Sequence, residues 1–262
     1  MKRSILILVL ALVISEVYGQ SLIEKGRALY ESKKYSDAKK TFELIKENTS
    51  GYPEARYYLG RIAYDQKEYD DAIEYLEEAT ELNTKNGTYF NLLGDAYAAA
   101  GADAGMLRQM SIGPKAIKAW EEAARLDPRN INARASLVGV YPMAPAFMGG
   151  GADKAEKTAK ELFPLLEESL SKNPDHHLHL YWYGKSSALT GLNLDRGEQC
   201  LKKYVTFTPA EGEPGIGGAH MRLGEIKEKQ GNKAEAKKCF EAALAKNPEL
   251  KGAKAGLERT SK

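Results

Sequence analysis

The sequence predicts an all-α fold: a solenoid of about six antiparallel helix pairs closed by a C-terminal capping helix. Gly26, Gly60 and Gly94 stand 34 residues apart, twice in succession. The same series follows each small residue. Ala72 and Ala79 come twelve and nineteen residues after Gly60, and Ala236 and Ala243 stand at the same distances after Gly224. Behind Ala38, Ala72 and Ala236 come Phe42, Leu76 and Phe240. Gly and Ala let two antiparallel helices approach closely, while Phe, Tyr and Leu fill the holes between them. A unit of this length cannot bury its apolar face alone, so the units must stack.

The pairs are read in order. The first, near 20–52, carries Gly26 and Leu29, then Ala38, Phe42 and Ile45. The second, 53–86, is the most regular, with Gly60, Ala63 and Tyr64 before Tyr69, Ala72, Leu76, Ala79 and Leu82. The third, 87–130, has Gly94 and Tyr97, then Ala116, Trp120 and Ala123, and stops at Asp127-Pro128. Gly94 to Ala116 is 22 residues where the regular spacing is twelve, which places a ten-residue insert within 101–114. The fourth, 131–174, has Leu137 and Val138 where Leu and Gly are expected. Its connecting run MAPAFMGGGADK, just after Pro142, is a loop marked by that proline, Pro145 and three glycines. Asp153 is the expected N-cap of the helix that follows, and Pro164 is expected to bend or break that helix. The fifth, 175–210, holds Gly184, Gly191, Leu194, Cys200 and Tyr204; the sixth, 217–248, follows the irregular run PAEGEPGIGG. Residues 249–262 form the polar cap that covers the last groove. The array is expected to be one elongated domain.

The first nineteen residues read as a signal peptide. Lys2 and Arg3 precede an apolar run from Ser4 to Ser15, and Val17 and Gly19 suit a cut after Gly19. The run is short for a membrane span, and no second apolar stretch follows it. Localisation is therefore expected to be periplasmic or secreted, with no stable membrane insertion after cleavage. The whole chain carries a net charge of +2; removing Lys2, Arg3 and Glu16 leaves +1. That is too near neutral to steer the protein onto nucleic acid. Cys200 and Cys239, the two cysteines, fall in the middle of second helices and read as small buried apolar residues. Export permits a disulfide, but helix axes lie ~8–10 Å apart and bridging needs closer Cα atoms.

This pattern resembles the tetratricopeptide repeat family. The residues carrying the resemblance are Leu59-Gly60, Tyr64, Tyr69, Ala72, Leu76 and Ala79, and again Leu223-Gly224, Gly231, Ala236, Phe240, Ala243 and Pro248. The run YPMAPAFMGGGADKA is also similar to an element of some bacterial exported repeat proteins, which implies no activity. The family resemblance implies a right-handed superhelix whose first helices line a concave groove that binds peptides or partner proteins. Some family members hold a C-terminal carboxylate with Lys, Asn and Arg. The matching positions here carry Ile23, Arg27, Tyr58, Thr88 and Leu92, so only Arg27 could serve and that clamp is absent from the first three repeats.

Helical spacing picks out the groove candidates. Side chains of first helices that point away from the packed Gly/Leu stripe include Arg27, Tyr30, Tyr57, Arg61 and Tyr64, and in the fifth pair Tyr181 and Lys185. Tyr and Arg combine large flat area with directed hydrogen bonds and are enriched in binding hot spots. The alternative is that each Tyr packs repeat on repeat and each Arg is solvated.

Three further clusters invite a site. Asp175, His176, His177 and His179 could bring two imidazoles to one helix face, but no spaced Cys or acid completes a metal set, so no metal is expected. Gly149-Gly150-Gly151-Ala152-Asp153-Lys154 lacks the spacing of a phosphate loop and follows no strand, and no cofactor is expected. Both inserts join a first helix to its second and should be neighbours along one edge of an array. Met106, Met110, Met143, Phe147 and Met148 are then expected to pack as a local mini-core rather than stand exposed. No nucleophile-plus-base arrangement is present. The expected function is a non-catalytic protein-interaction scaffold of the bacterial envelope, with a protein or peptide partner in the groove. The alternatives are an assembly subunit acting through its edge loops or a metal-dependent enzyme.

Overall fold

The structure, a computed structural model, describes residues 2–102, 104–210 and 212–261, and residues 2–16 by their backbone only. Met1 of the expected signal, Asp103 of the first insert, Glu211 of the 209–218 run and Lys262 of the cap lie outside the described residues. The described residues form thirteen helices, one 3₁₀ turn at Ala146–Met148 and no strand. They are α1 (Lys2–Glu31), α2 (Tyr35–Glu43), α3 (Tyr52–Asp65), α4 (Tyr69–Leu82), α5 (Gly87–Ala102), α6 (Met106–Leu126), α7 (Ile131–Val140), α8 (Ala152–Lys172), α9 (His177–Thr190), α10 (Leu194–Tyr204), α11 (Ile216–Lys229), α12 (Lys233–Lys246) and α13 (Lys251–Thr260). The cut expected after Gly19 falls inside α1. Among the described residues no helix is long and apolar enough to cross a membrane.

Contacts cluster into two compact units, residues 1–128 and 129–262. One array was expected. Within the first unit α1 packs on α2, α3 on α4 and α5 on α6; within the second α7 packs on α8, α9 on α10 and α11 on α12, with α13 closing against α11 and α12. Both units are helical solenoids of three antiparallel pairs. The Asp127-Pro128 step ends α6, where Pro128 has no N–H to continue a helix.

The small-and-large pairing of the sequence is the packing rule of the pairs. A Cβ on Gly26, Gly60, Gly94 or Gly224 would lie 2.5–2.6 Å from Phe42, Leu76, Trp120 or Phe240 of the facing helix. Phe42, Leu76 and Phe240 are fully buried there. In the fourth pair Val138, not glycine, fills that place and is itself fully buried beside Leu162 and Leu166.

Several local expectations are corrected. Most of the 101–114 insert is helix: it lengthens α6 backward to Met106, with Pro114 inside. Pro164 likewise stays within an unbroken α8. Its apolar neighbours Leu162, Phe163 and Leu166 are buried, and that packing outweighs the lost hydrogen bond. Gly151, at φ 150°, is the N-cap of α8. Asp153 lies one residue inside, where its charge complements the helix N-terminus. The mini-core is absent: Met106, Met110, Met143 and Phe147 are exposed at 76, 47, 71 and 77 %. Residues 106–110 lie on the N-terminal extension of α6, whose recorded contacts are polar: Arg108 pairs with Asp70, and Gln109 Nε2 donates to the Gly101 carbonyl at 3.1 Å; Phe147 lies on the short 3₁₀ turn. Cys200 is buried in α10, Cys239 is half-buried in α12, and both are free thiols.

Candidate partner-binding face

Within each unit one side is built from first helices that touch in succession. α1 meets α3 and α3 meets α5; α7 meets α9, α9 meets α11 and α11 meets α13. Consecutive second helices make no comparable approach among the described residues. The first-helix side is therefore the tighter, inner side of each unit.

In the first unit that side is an aromatic run. Tyr57 of α3 stacks on Tyr89 of α5, with centroids 4.7 Å apart. Tyr58 stacks on Phe42 at 5.0 Å and meets Tyr30 edge-on at 5.7 Å. Arg61 lies 4.9 Å over the Tyr30 ring, and its Nη1 donates to the Tyr57 hydroxyl at 3.5 Å. The Tyr30 hydroxyl donates to Asp65 at 2.5 Å. Burial first, then that carboxylate, holds the Tyr30 phenol well above its usual range. Arg27 is paired with Glu54, its Nε donating at 2.6 Å. Tyr64 leans on Tyr69 at 5.7 Å, and burial pushes its phenol up to about 12 with Asp95 adding to the effect. Arg27 and Arg61 thus have internal partners. The face offers flat aromatic area and hydroxyls more than free charge.

Asp95 of α5 accepts from Trp120 Nε1 at 2.8 Å and from Asn91 Nδ2 at 2.9 Å. Burial of its carboxylate raises the pKa to about 6, against those two hydrogen bonds. The Oδ1 of Asn91 is enclosed without a hydrogen bond.

In the second unit Tyr181 packs on Tyr204 at 5.2 Å, and Arg222 of α11 faces its hydroxyl. Arg222 Nη1 donates to both oxygens of Glu225, at 3.0 and 2.8 Å, while its Nε is enclosed without a hydrogen bond. Lys185 reaches from α9 toward α7, where a Cβ on Gly139 would lie 2.8 Å from its Nζ. Burial, with Arg222 nearby, lowers the Lys185 amine to about 8.

The structure brings Tyr30, Tyr57 and Arg61 together and sets Arg27 beside them near Tyr58. Tyr64 is turned toward Tyr69 and Asp95. Tyr57 is 7 % exposed and serves repeat-on-repeat packing. Sequence reasoning missed Tyr89 and Arg222. Arg222 stands two residues before Gly224, the place Tyr58 holds before Gly60, and that register could have found it. The histidines are spent locally. His176 stacks on His179 at 3.6 Å, His179 Nδ1 shares a hydrogen bond with Ser169 at 2.6 Å, and His177 pairs with Glu213 at 2.6 Å. Among the described residues no cluster of His, Cys, Asp or Glu is arranged to hold a metal ion.

Residues 23–86 and 217–250 match family descriptions of the tetratricopeptide repeat. No curated protein matches the chain. Among solved structures, the Cut9–Hcn1 hetero-tetramer of the APC/C aligns with a TM-score of 0.59 at 14 % identity, over 94 % of this chain and 43 % of that one. PilW, a type IV pilus biogenesis factor, aligns at 0.53 and 15 % identity, over 91 % and 98 % of the two chains. Acl4, the assembly chaperone of RpL4, aligns at 0.53 and 16 % identity, over 93 % and 95 %. At these identities the likeness concerns the fold alone. With Gly/large-residue helix pairs and stacked first helices around them, residues 23–86 and 217–250 of this chain are tetratricopeptide repeats.

Proposed function

We propose that this protein is an exported, non-catalytic scaffold of the bacterial envelope that holds a peptide or a segment of a partner protein against its first-helix face. Repeats of this family form protein-interaction scaffolds, which supports the general role. The observation that carries the finer reading is the inner side of the first unit. Tyr30, Tyr58 and Arg61 are locked to one another yet each keeps part of its surface open. Rigid aromatic and guanidinium groups bind at low entropic cost, because little is left to order on association. The basic, apolar start of the chain supports export.

In-cell crosslinking followed by mass spectrometry of captured proteins tests this reading. The wild-type chain is expected to capture a defined partner in the envelope fraction, and the charge-reversed R27E/R61E variant is expected to lose it. Retention of that partner by R27E/R61E would move the site off this face. A second reading, an assembly subunit working through its edges, is favoured by the exposed Met106, Leu107 and Phe147. It predicts that M106S/L107S, and not R27E/R61E, releases the partner.

A further inference from the structure

Residues 142–152, between α7 and α8, carry no charged side chain. Their backbone is closed on itself. The N–H groups of Met143 and Ala144 donate to the Val140 carbonyl, those of Met148 and Gly150 to that of Pro145, that of Gly149 to Ala146 and that of Gly151 to Tyr141. Pro142 and Pro145 have no N–H to satisfy. Gly149 takes a left-handed φ of 91°, and a Cβ on Gly150 would lie 1.8 Å from the Ala144 carbonyl oxygen, so only glycines close the loop this tightly. Lys154 fastens its far end: Nζ donates to the Gly149 carbonyl at 3.0 Å and lies 5.3 Å over the ring of buried Tyr141. On this frame Met143 and Phe147 stand in solvent, beside exposed Pro142, Pro145 and Ala146.

Large apolar side chains held out on a built frame mark a contact surface. Two features of the loop select its partner. A segment that enters hydrocarbon must bring acceptors for its own N–H groups, since lipid supplies none. The 142–152 loop does so, whereas a protein cleft offers acceptors of its own and makes no such demand. No charge has to leave water until Asp153 and Lys154, where charge resumes. The exposed Met106 and Leu107 fail both conditions. They stand in the first turn of α6, whose N–H groups no side chain caps, and Arg108 follows at once, paired with Asp70.

We propose that the 142–152 loop dips into the surface of a lipid bilayer, with Phe147 and Met143 below the headgroups and Asp153 and Lys154 level with them. The contact is shallow and reversible, because one loop buries far less apolar surface than a spanning helix. It does not rest on the first-helix reading, and R27E/R61E is expected to leave it unchanged.

The test uses the full chain and reads position 147 itself, because the apolar run of residues 4–15 can hold the chain to lipid on its own. Phe147→Trp and, separately, Leu107→Trp are mixed with vesicles whose acyl chains are brominated. One set is phosphatidylcholine, the other phosphatidylethanolamine with phosphatidylglycerol. Above the wild-type emission of Trp120 and Trp182, F147W fluorescence is expected to shift to the blue and be quenched in both sets, at low and high salt, while L107W is not. Adding Met143→Ser to F147W should weaken insertion about threefold, read as the ratio of quenched to unquenched emission. Both side chains are exposed, so Tm is expected to stay at the wild-type value and shows that the variants fold. Equal quenching of F147W and L107W would mean that another segment holds the chain to lipid, and the proposal fails. Quenching confined to the phosphatidylglycerol vesicles, or lost at high salt, would assign the contact to lysines and overturn apolar insertion. Absence of F147W quenching in every vesicle also overturns it; loss of a captured protein on F147S would then make the loop a hook for a protein cleft.

Discussion

The ring of Tyr57 lies nearly flat on that of Tyr89, with centroids 4.7 Å apart and planes 16° from parallel. Both are buried, and they join α3 to α5 within the first unit. Tyr57→Ala is expected to destabilise the protein by about 3 kcal/mol, as large-to-small changes of buried aromatics do. With Tyr89→Ala it should show a coupling energy of about 0.5–1.5 kcal/mol in urea denaturation. Strict additivity of the two losses would mean that the stack carries no energy of its own.

Gly184 makes room for the Leu201 side chain of the facing helix, since a Cβ there would lie 2.1 Å from Leu201 Cγ. Gly184→Ala is expected to cost about 1–3 kcal/mol by overpacking. In the Gly184→Ala/Leu201→Ala double variant the losses should sum to less than the two single effects, because the truncated Leu leaves room for the new methyl. Gly105, where an added Cβ meets nothing within 4 Å, serves as the control and should change stability by less than about 1 kcal/mol on conversion to Ala.

Asp95 makes the first unit weaker as pH rises. Its folded pKa of about 6 lies above the ordinary 3.8, so the native state binds the proton more tightly than the unfolded chain. Stability from this group is full below about pH 4 and is lost as pH rises to about 6, by up to about 3 kcal/mol. Asp95→Asn should remove that slope and be neutral or stabilising at pH 7. An amide still accepts from Trp120, and its NH₂ can donate to the idle Asn91 Oδ1 once that side chain flips. Thermal melts of both proteins between pH 4 and 8 decide it; parallel curves would exclude the role of Asp95.

Glu198 has the opposite sign. Its carboxylate is 2.7 Å from both Lys202 and Lys227. Burial opposes its charge, but the bonds from Lys202, Lys227 and Gln230 win and hold the pKa down to about 2. A depressed folded pKa gives stability that is present above the ordinary value near 4.5 and is lost as pH falls toward 2. Glu198→Gln is expected to cost about 2 kcal/mol at pH 7 and to flatten the acid limb of the melting curve. An unchanged acid limb would assign acid unfolding to other carboxylates.

Much of this fold is legible in one dimension because the helix pairs are local. Gly60 meets Leu76 and Gly224 meets Phe240 sixteen residues on, across a single tight turn, so spacing alone reveals the partner. Inserts break that logic. The residues of 106–114 were read as a connecting loop, yet they prolong α6, since nothing in their composition resists a helix already nucleated downstream. Exposure was misjudged for Met106 and Phe147 because apolar character says what a side chain prefers and not whether a neighbour is within reach. Among the face residues, Tyr30 and Arg61 could be placed by helical phase. The locking of Tyr30 to Arg61, Tyr58 and Asp65 could not, since it joins helices about thirty residues apart.

By itself the sequence determined the period, the small-and-large code of each pair and therefore a stack of antiparallel helices. Those follow from 3.6-residue geometry and side-chain size, which act within one repeat. Only the tertiary structure decided that the contacts fall into two units, that Arg27 and Arg61 are internally paired, and that Lys185 is left without a counter-ion. Charge balance depends on which carboxylates come within a few ångströms, and that is set by how neighbouring repeats meet.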